Sequence, residues 1–214
     1  MSRSVSKPAR RADAQHNVEK ILEAAVACLS RNSDASVIEI AQAAGVGRVT
    51  LYGHFPSRDA LVEAALTRLL DRGDEVLEGL DLTGDPRESL RALIESSWLL
   101  TAQSSAVLEA AQKILPAGRV HDLHAKPEQR VGDLIGRGQA EGVFREDLPA
   151  SWLAGVLHHI IKGAAADLAA GRLDRADAPR FISETVLAAY TPVGGEQSST
   201  SRRSASRADG RARG

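Results

Sequence analysis

The stretch "AGVGRVTLYGHF", residues 44–55, places Arg48, Thr50, Tyr52 and His54 at alternate positions behind two glycines. All four can hydrogen-bond, and no cluster of acids, thiols or further histidines stands beside them to make a catalyst. Their chemistry is that of recognition. An arginine can donate two bonds to one guanine edge, worth ~1–3 kcal/mol of discrimination, whereas a phenol and an imidazole suit phosphate oxygens. Arg58 adds a cation just beyond. Other chemistry-bearing residues are sparse. His121 and His124 have H-x-x-H spacing but no third ligand nearby, which leaves them as surface histidines on a loop edge, "RVHDLHAKP". The consecutive His158 and His159 would point in different directions on a helix. No Ser, His and acid combination is spaced for hydrolysis. The single Cys28 excludes an intramolecular disulfide and a cysteine-only metal site. No catalytic residue, metal or cofactor is expected.

The elements that must position the polar cluster read as helices. Val18, Ile21, Leu22, Ala25 and Leu29 recur at three- and four-residue steps, which predicts a helix from about Asp13 to about Arg31. "NSD" interrupts it, and Ser36 with Glu39 forms an S-x-x-E capping box that starts a second helix. Gly45 ends that helix through the left-handed conformation. Ile40, Ala41, Val46, Leu51 and Phe55 are spaced to share one small core between two short helices, leaving the polar side chains outside. Helices under ~12–15 residues are marginal alone, so flanking helices must hold this pair. Pro56 then breaks the chain and Ser57 caps a longer helix carrying Leu61, Ala65, Leu66, Leu69 and Leu70. Further helical tracts are expected over Arg87–Gln103, Ala106–Leu115, Glu128–Glu141, Ala150–Ala170 and Ala178–Tyr190, separated by segments rich in Gly, Pro and Asp. No alternating β-branched run argues for a sheet. The fold class is all-α: an N-terminal three-helix head with a helix-turn-helix, then a C-terminal helical bundle domain for ligand binding and dimerisation.

Charge divides along the chain. Residues 1–60 carry 8 Lys+Arg against 6 Asp+Glu, residues 61–191 carry 14 against 20, and residues 192–214 carry 5 against 2. A polyanion would therefore be met by the N-terminal end, where Arg3, Lys7, Arg10 and Arg11 have no acid among them. No apolar run approaches the ~20 residues that cross a bilayer, and the basic N-terminus lacks the apolar stretch of a secretory signal. A cytoplasmic protein with no membrane partner is expected. The expected divisions are a basic flexible arm over 1–12, a helix-turn-helix domain over 13–56, a helical effector-binding and dimerisation domain over 57–191, and a disordered basic tail over 192–214.

"VIEIAQAAGVGRVTLYGHFPSRDALVEAAL" resembles the DNA-binding segment of the TetR family of transcriptional regulators. Its short helix, Ala-Gly-Val, Leu-Tyr-x-His-Phe and Ser-Arg-Asp-x-Leu elements occur together at the family's spacing, and the resemblance covers about residues 12–70. By that resemblance Arg48, Thr50, Tyr52, His54 and Arg58 correspond to positions that often contact DNA; Ser36, Gly47 and Val49 complete the expected DNA face. Two departures stand out. Gly47 replaces a frequent Ser or Thr, which removes a hydroxyl able to cap the recognition helix, and Gly53 replaces a larger side chain, which loosens its end.

The resemblance further implies a helical C-terminal domain that dimerises and binds an effector. Leu153, Val156, Leu157, Ile160, Ile161 and Ala164, with Phe181 and Val186, supply apolar stripes for a four-helix bundle across a two-fold axis, although the same stripes would serve helices buried within one chain. Trp98, Gln103, Gln112 and His158 are the expected ligand-contacting residues, since such pockets are mostly apolar with a few oriented polar groups. The expected function is a homodimeric, ligand-responsive one-component regulator, a repressor released from a near-palindromic double-stranded DNA operator by a small-molecule effector. The alternative is a helical small-molecule-binding module or enzyme that retains the fold without operator binding.

Overall fold

A computed structural model describes residues 7–192, and every described element is helical. In chain order these are α1 (Lys7–Arg31), α2 (Val37–Ala43), α3 (Arg48–His54), α4 (Arg58–Glu78), α5 (Pro86–Ile114), α6 (Ala117–Ala140), α7 (Ala150–Ala169) and α8 (Ala178–Tyr190). The first helix begins six residues before the expected Asp13, so residues 7–12, read as part of a flexible arm, have helical backbone. Residues 1–6 of that arm and 193–214 of the tail lie outside the described residues.

The N-terminal helices form where local signals demand them. The Ser36 hydroxyl accepts from the Glu39 amide at 3.2 Å while the Glu39 carboxylate accepts from the Ser36 amide at 2.7 Å, which completes the capping box. At the other end Gly45 takes φ of 66°. Its amide bonds the Gln42 carbonyl at 3.1 Å, and the Val46 amide bonds the Ala41 carbonyl at 3.0 Å. This pair of reversed bonds satisfies carbonyls that the helix end would otherwise leave open. Seven-residue α2 and α3 are held by burial instead of propensity: Ile40 and Leu51 have no exposed surface, and both join α1, the first half of α4 and the end of α5 in one core. Each such side chain contributes ~1.5–3 kcal/mol by leaving water.

This first core crosses the expected division after residue 56. Leu61, Val62, Ala65, Leu66 and Leu69 of α4 belong to it, as do Val107, Ala110 and Ala111 of α5. A second core gathers Leu90, Leu93, Ile94 and Trp98 of α5 with residues of α6, α7 and α8. Phe144 packs edge-on to Tyr190 there, with ring centroids 5.6 Å apart. The Tyr190 hydroxyl donates to the Leu153 carbonyl. Burial pushes that phenol's pKa far above its ordinary value.

Two expected breaks are absent. The chain runs as one helix through residues 104 and 105, because the Ser104 and Ser105 hydroxyls donate to the Leu100 and Thr101 carbonyls at 2.7 and 2.8 Å and stay within the helix. Likewise "RVHDLHAKP" is not a loop edge: α6 starts at Ala117 and contains Pro127 in its interior. Proline has no N–H to offer, so α6 lacks one of its internal bonds and carries a built-in weak turn.

Candidate DNA interface and effector cavity

Leu51 is fully buried and Phe55 nearly so, which fixes the rotation of α3. Arg48, Val49, Thr50 and Tyr52 are thereby turned outward, with Val49 87% exposed. A large apolar side chain this free of protein contact is available to a thymine methyl or another surface. The Arg48 guanidinium lies 5.4 Å from the Tyr52 ring centroid, an i,i+4 cation–π contact that pre-orients the arginine along the helix. His54 is half-buried at the C-terminal end of α3. Gly47 is the N-cap and supplies no side-chain bond, so the open amides of the first turn remain available to an anion.

Ser36 and Arg58 have other duties. The Ser36 hydroxyl is occupied as the α2 cap, where its bonds hold the exposed Glu39 carboxyl below its ordinary pKa, first through the Ser36 backbone and then through its side chain. Arg58, expected as a free cation for phosphate, instead folds back: its guanidinium donates to the Ser33 and Ala35 carbonyls at 3.0 and 3.4 Å. It ties α4 to the α1–α2 loop. A related tie runs from the last turn of α5, where the Lys113 ammonium reaches the Ser33 hydroxyl at 2.8 Å and the Asp34 carboxylate at 3.0 Å. Arg119 of α6 bonds Glu63 of α4 at 2.7 Å. Sequence spacing gave no signal for these three cross-links, because their partners lie 23 to 80 positions apart.

Between α4, α5, α6 and α7 lies an inner cavity of about 70 Å³, walled by apolar groups such as Leu69, Leu93, Leu157 and Ile161. His124, His158 and Ser105 border both this cavity and a wider outer cleft of about 870 Å³. The imidazole centroids are 6.2 Å apart. His124 is thus not the surface histidine expected, whereas His121 is exposed. Asp74 of α4 faces the inner cavity and is gripped from α6, with Lys126 at 2.5 Å and Arg130 at 2.8 Å. Burial works to raise the Asp74 carboxyl, and the two cations outweigh it, so its pKa is lowered.

The four expected ligand residues are not brought together. Trp98 is 5% exposed and belongs to the second core, Gln103 borders a separate groove between α1 and α4, and Gln112 lines the outer cleft. His158 alone faces the inner cavity. The dimer-face expectation also needs correction. Leu153, Leu157, Ile161 and Val186 are all 2% exposed or less within a single chain, because the stripe they form packs against α5. Val156, Ile160 and Ala164 are half-buried, and Phe181 is 44% exposed. Trp152, which the sequence reading passed over, is 63% exposed on the same helix. No helix among the described residues is long and apolar enough to cross a membrane.

Residues 21–65 match the model of bacterial regulatory proteins of the tetR family. A curated relative, the HTH-type transcriptional repressor LfrR of Mycolicibacterium smegmatis, is 36% identical over 77 residues, a match spanning 36% of this chain and 41% of that repressor. Among solved structures, LfrR from Mycobacterium smegmatis in complex with proflavine superposes with a TM-score of 0.67 at 23% identity, covering 80% of this chain and 94% of that one. A TetR-family regulator from Vibrio parahaemolyticus gives 0.57 at 25% identity over 81% of this chain and 97% of its own. The likeness to the LfrR structure is one of fold.

Proposed function

We propose that this chain, whose residues 21–65 match the tetR family model and whose fold is shared with the LfrR structure, is a homodimeric repressor of the TetR family whose grip on DNA is released by a small molecule. The observation that carries this reading is the orientation of α3: a buried Leu51 forces Arg48, Thr50 and Tyr52 outward on the helix that a groove would receive. Residues up to the first half of α4 serve as the head, and the remaining helices as the effector and dimerisation body. Two heads on a two-fold axis would read half-sites ~34–36 Å apart, or a multiple of that spacing. The dimer face is assigned to the outer sides of α7 and α8, where Trp152, Val156, Ile160 and Phe181 remain available after the inner stripe is buried.

The effector site is assigned to the inner cavity and outer cleft together. Because LfrR was crystallised with proflavine, a planar polycyclic amine is the first effector to try. A ligand entering beside Asp74 meets the contact through which α6 grips α4, and α4 is tied to the head by Arg58. Coupling free energies of ~1–3 kcal/mol alter DNA affinity ~5- to 150-fold, and DNA must alter ligand affinity by the same factor.

Selection from a random duplex pool at low ionic strength tests the reading: a recovered near-palindrome is expected, and failure to select any sequence refutes it. With the selected operator, Arg48→Ala should lose preference for the operator over random duplex by ~5-fold or more, from a bidentate contact worth ~1–3 kcal/mol. A uniform loss on all sequences would move Arg48 to the phosphate-contacting class.

A further inference from the structure

Leu51 points into the first core with no exposed surface. At about 100° per residue, the positions two before and two after it fall about 20° either side of the line directly opposite on the helix. Those positions are Val49 and Gly53, while Arg48 and Tyr52 lie on one flank and Thr50 on the other. The outermost ridge of α3 is therefore a pair of valine methyls followed by bare backbone, with no hydrogen-bonding side chain on it. Val49 is the most exposed large apolar side chain among the described residues, at 87% against 63% for Trp152. Its β-branch restricts χ1 in a helix, so the methyls are held in place before any contact is made.

Nothing inside the protein asks for glycine at position 53. Its φ is not positive, and a Cβ added there would meet no atom within 4 Å. The Phe55 amide still bonds the Leu51 carbonyl at 2.8 Å, so the helix end is not loosened as the sequence led us to expect. A helical glycine destabilises relative to alanine, and its bare backbone is of use where another molecule must come close.

Resting on the repressor reading above, we infer that the Val49–Gly53 ridge reads a thymine: the 5-methyl group packs on Val49, and the missing side chain at Gly53 lets the helix approach the base edges closely enough for that contact. In the major groove thymine alone offers a methyl. Against any other base Val49 would strip donors or acceptors of water and return no hydrogen bond. This selection is separate from that of Arg48, which works from the flank by donating hydrogen bonds.

The test uses the full-length protein and the selected operator. Each thymine of a half-site is replaced in turn by uracil, which deletes the methyl and keeps the base pairing. With wild type, one position should lose about fourfold in affinity per half-site, the worth of one buried methyl. Val49→Ala, which leaves the core untouched, should bind the unsubstituted operator several-fold more weakly and no longer respond to uracil at that position. Gly53→Ala should raise the melting temperature and yet weaken operator binding at least about fivefold, the lower end of what one overpacked methyl costs, with random duplex affected less. Half-sites without thymine, no uracil-sensitive position in wild type, sensitivity that persists in Val49→Ala, or Gly53→Ala binding the operator as tightly as wild type would overturn the inference and leave the repressor reading intact. Failure to select any operator is a different outcome: it removes that reading, and this inference with it.

Discussion

An alanine at Gly138 would place its Cβ 2.1 Å from Phe144 Cδ2 and 2.4 Å from Cε2, far inside contact distance. The ring has nowhere to retreat. Phe144 is fully buried, packs edge-on to Tyr190, and follows a turn whose Val143 and Phe144 amides both donate to the Gly138 carbonyl at 2.8 and 2.9 Å. Overpacking costs ~1–3 kcal/mol when the neighbours can adjust. Expelling the ring instead forfeits ~1.5–3 kcal/mol of burial and ~0.5–1.5 kcal/mol of aromatic pairing. A loss of ~3 kcal/mol is expected, lowering Tm by ~6–12 °C at ~2–4 °C per kcal/mol. Thermal and urea unfolding of Gly138→Ala at fixed protomer concentration would measure it. Gly136 is the control: it sits on the same helix with nothing within 4 Å of an added Cβ, so Gly136→Ala should gain ~0.5–1 kcal/mol. In a Phe144→Ala background the Gly138→Ala penalty should vanish. If Gly138→Ala alone stabilises as Gly136→Ala does, the account of this corner is wrong.

Arg58→Ala should cost ~1–3 kcal/mol of stability, by leaving the Ser33 and Ala35 carbonyls without their charged donor, and should weaken DNA binding without changing its salt dependence. A phosphate-contacting arginine would instead reduce the slope of log affinity against log salt by ~0.9. Ser36→Ala should cost ~0.5–2 kcal/mol in urea unfolding through loss of the α2 cap. Because the folded state lowers the Glu39 pKa, its stabilisation is complete above the ordinary glutamate value and is lost as pH falls through the depressed one. The stability difference between wild type and Glu39→Ala should accordingly shrink toward acid, and a difference growing toward acid would contradict the capping geometry.

What the sequence disclosed was local. The Ser36–Glu39 box, the Gly45 ending and the inward set of Ile40, Ala41, Leu51 and Phe55 each follow from residues a few positions apart, where backbone geometry alone sets the partners. Errors arose where the answer depended on a distant neighbour. Ser104 and Ser105 read as an interruption because their bonds back to the helix are invisible in composition, and residues 119–127 read as a loop edge although packing against α5 and α7 sustains one helix through them. The apolar stripe on α7 was recognised, but periodicity cannot say whether it meets its own chain or a second copy; Leu153, Leu157 and Ile161 went inward while Trp152 stayed out. Arg58 carried the charge expected of a phosphate contact, and only the fold reveals two carbonyls within its reach.

The 29-residue α5 has a consequence for how the molecule comes apart. At ~1.5 Å per residue it is a rod of ~43 Å. Its first half anchors Leu90, Leu93 and Ile94 in one apolar cluster, and its second half anchors Val107, Ala110 and Ala111 in the other. Neither cluster can dissolve while its neighbour keeps that rod intact, so heating should give one melting event instead of a head that frays first.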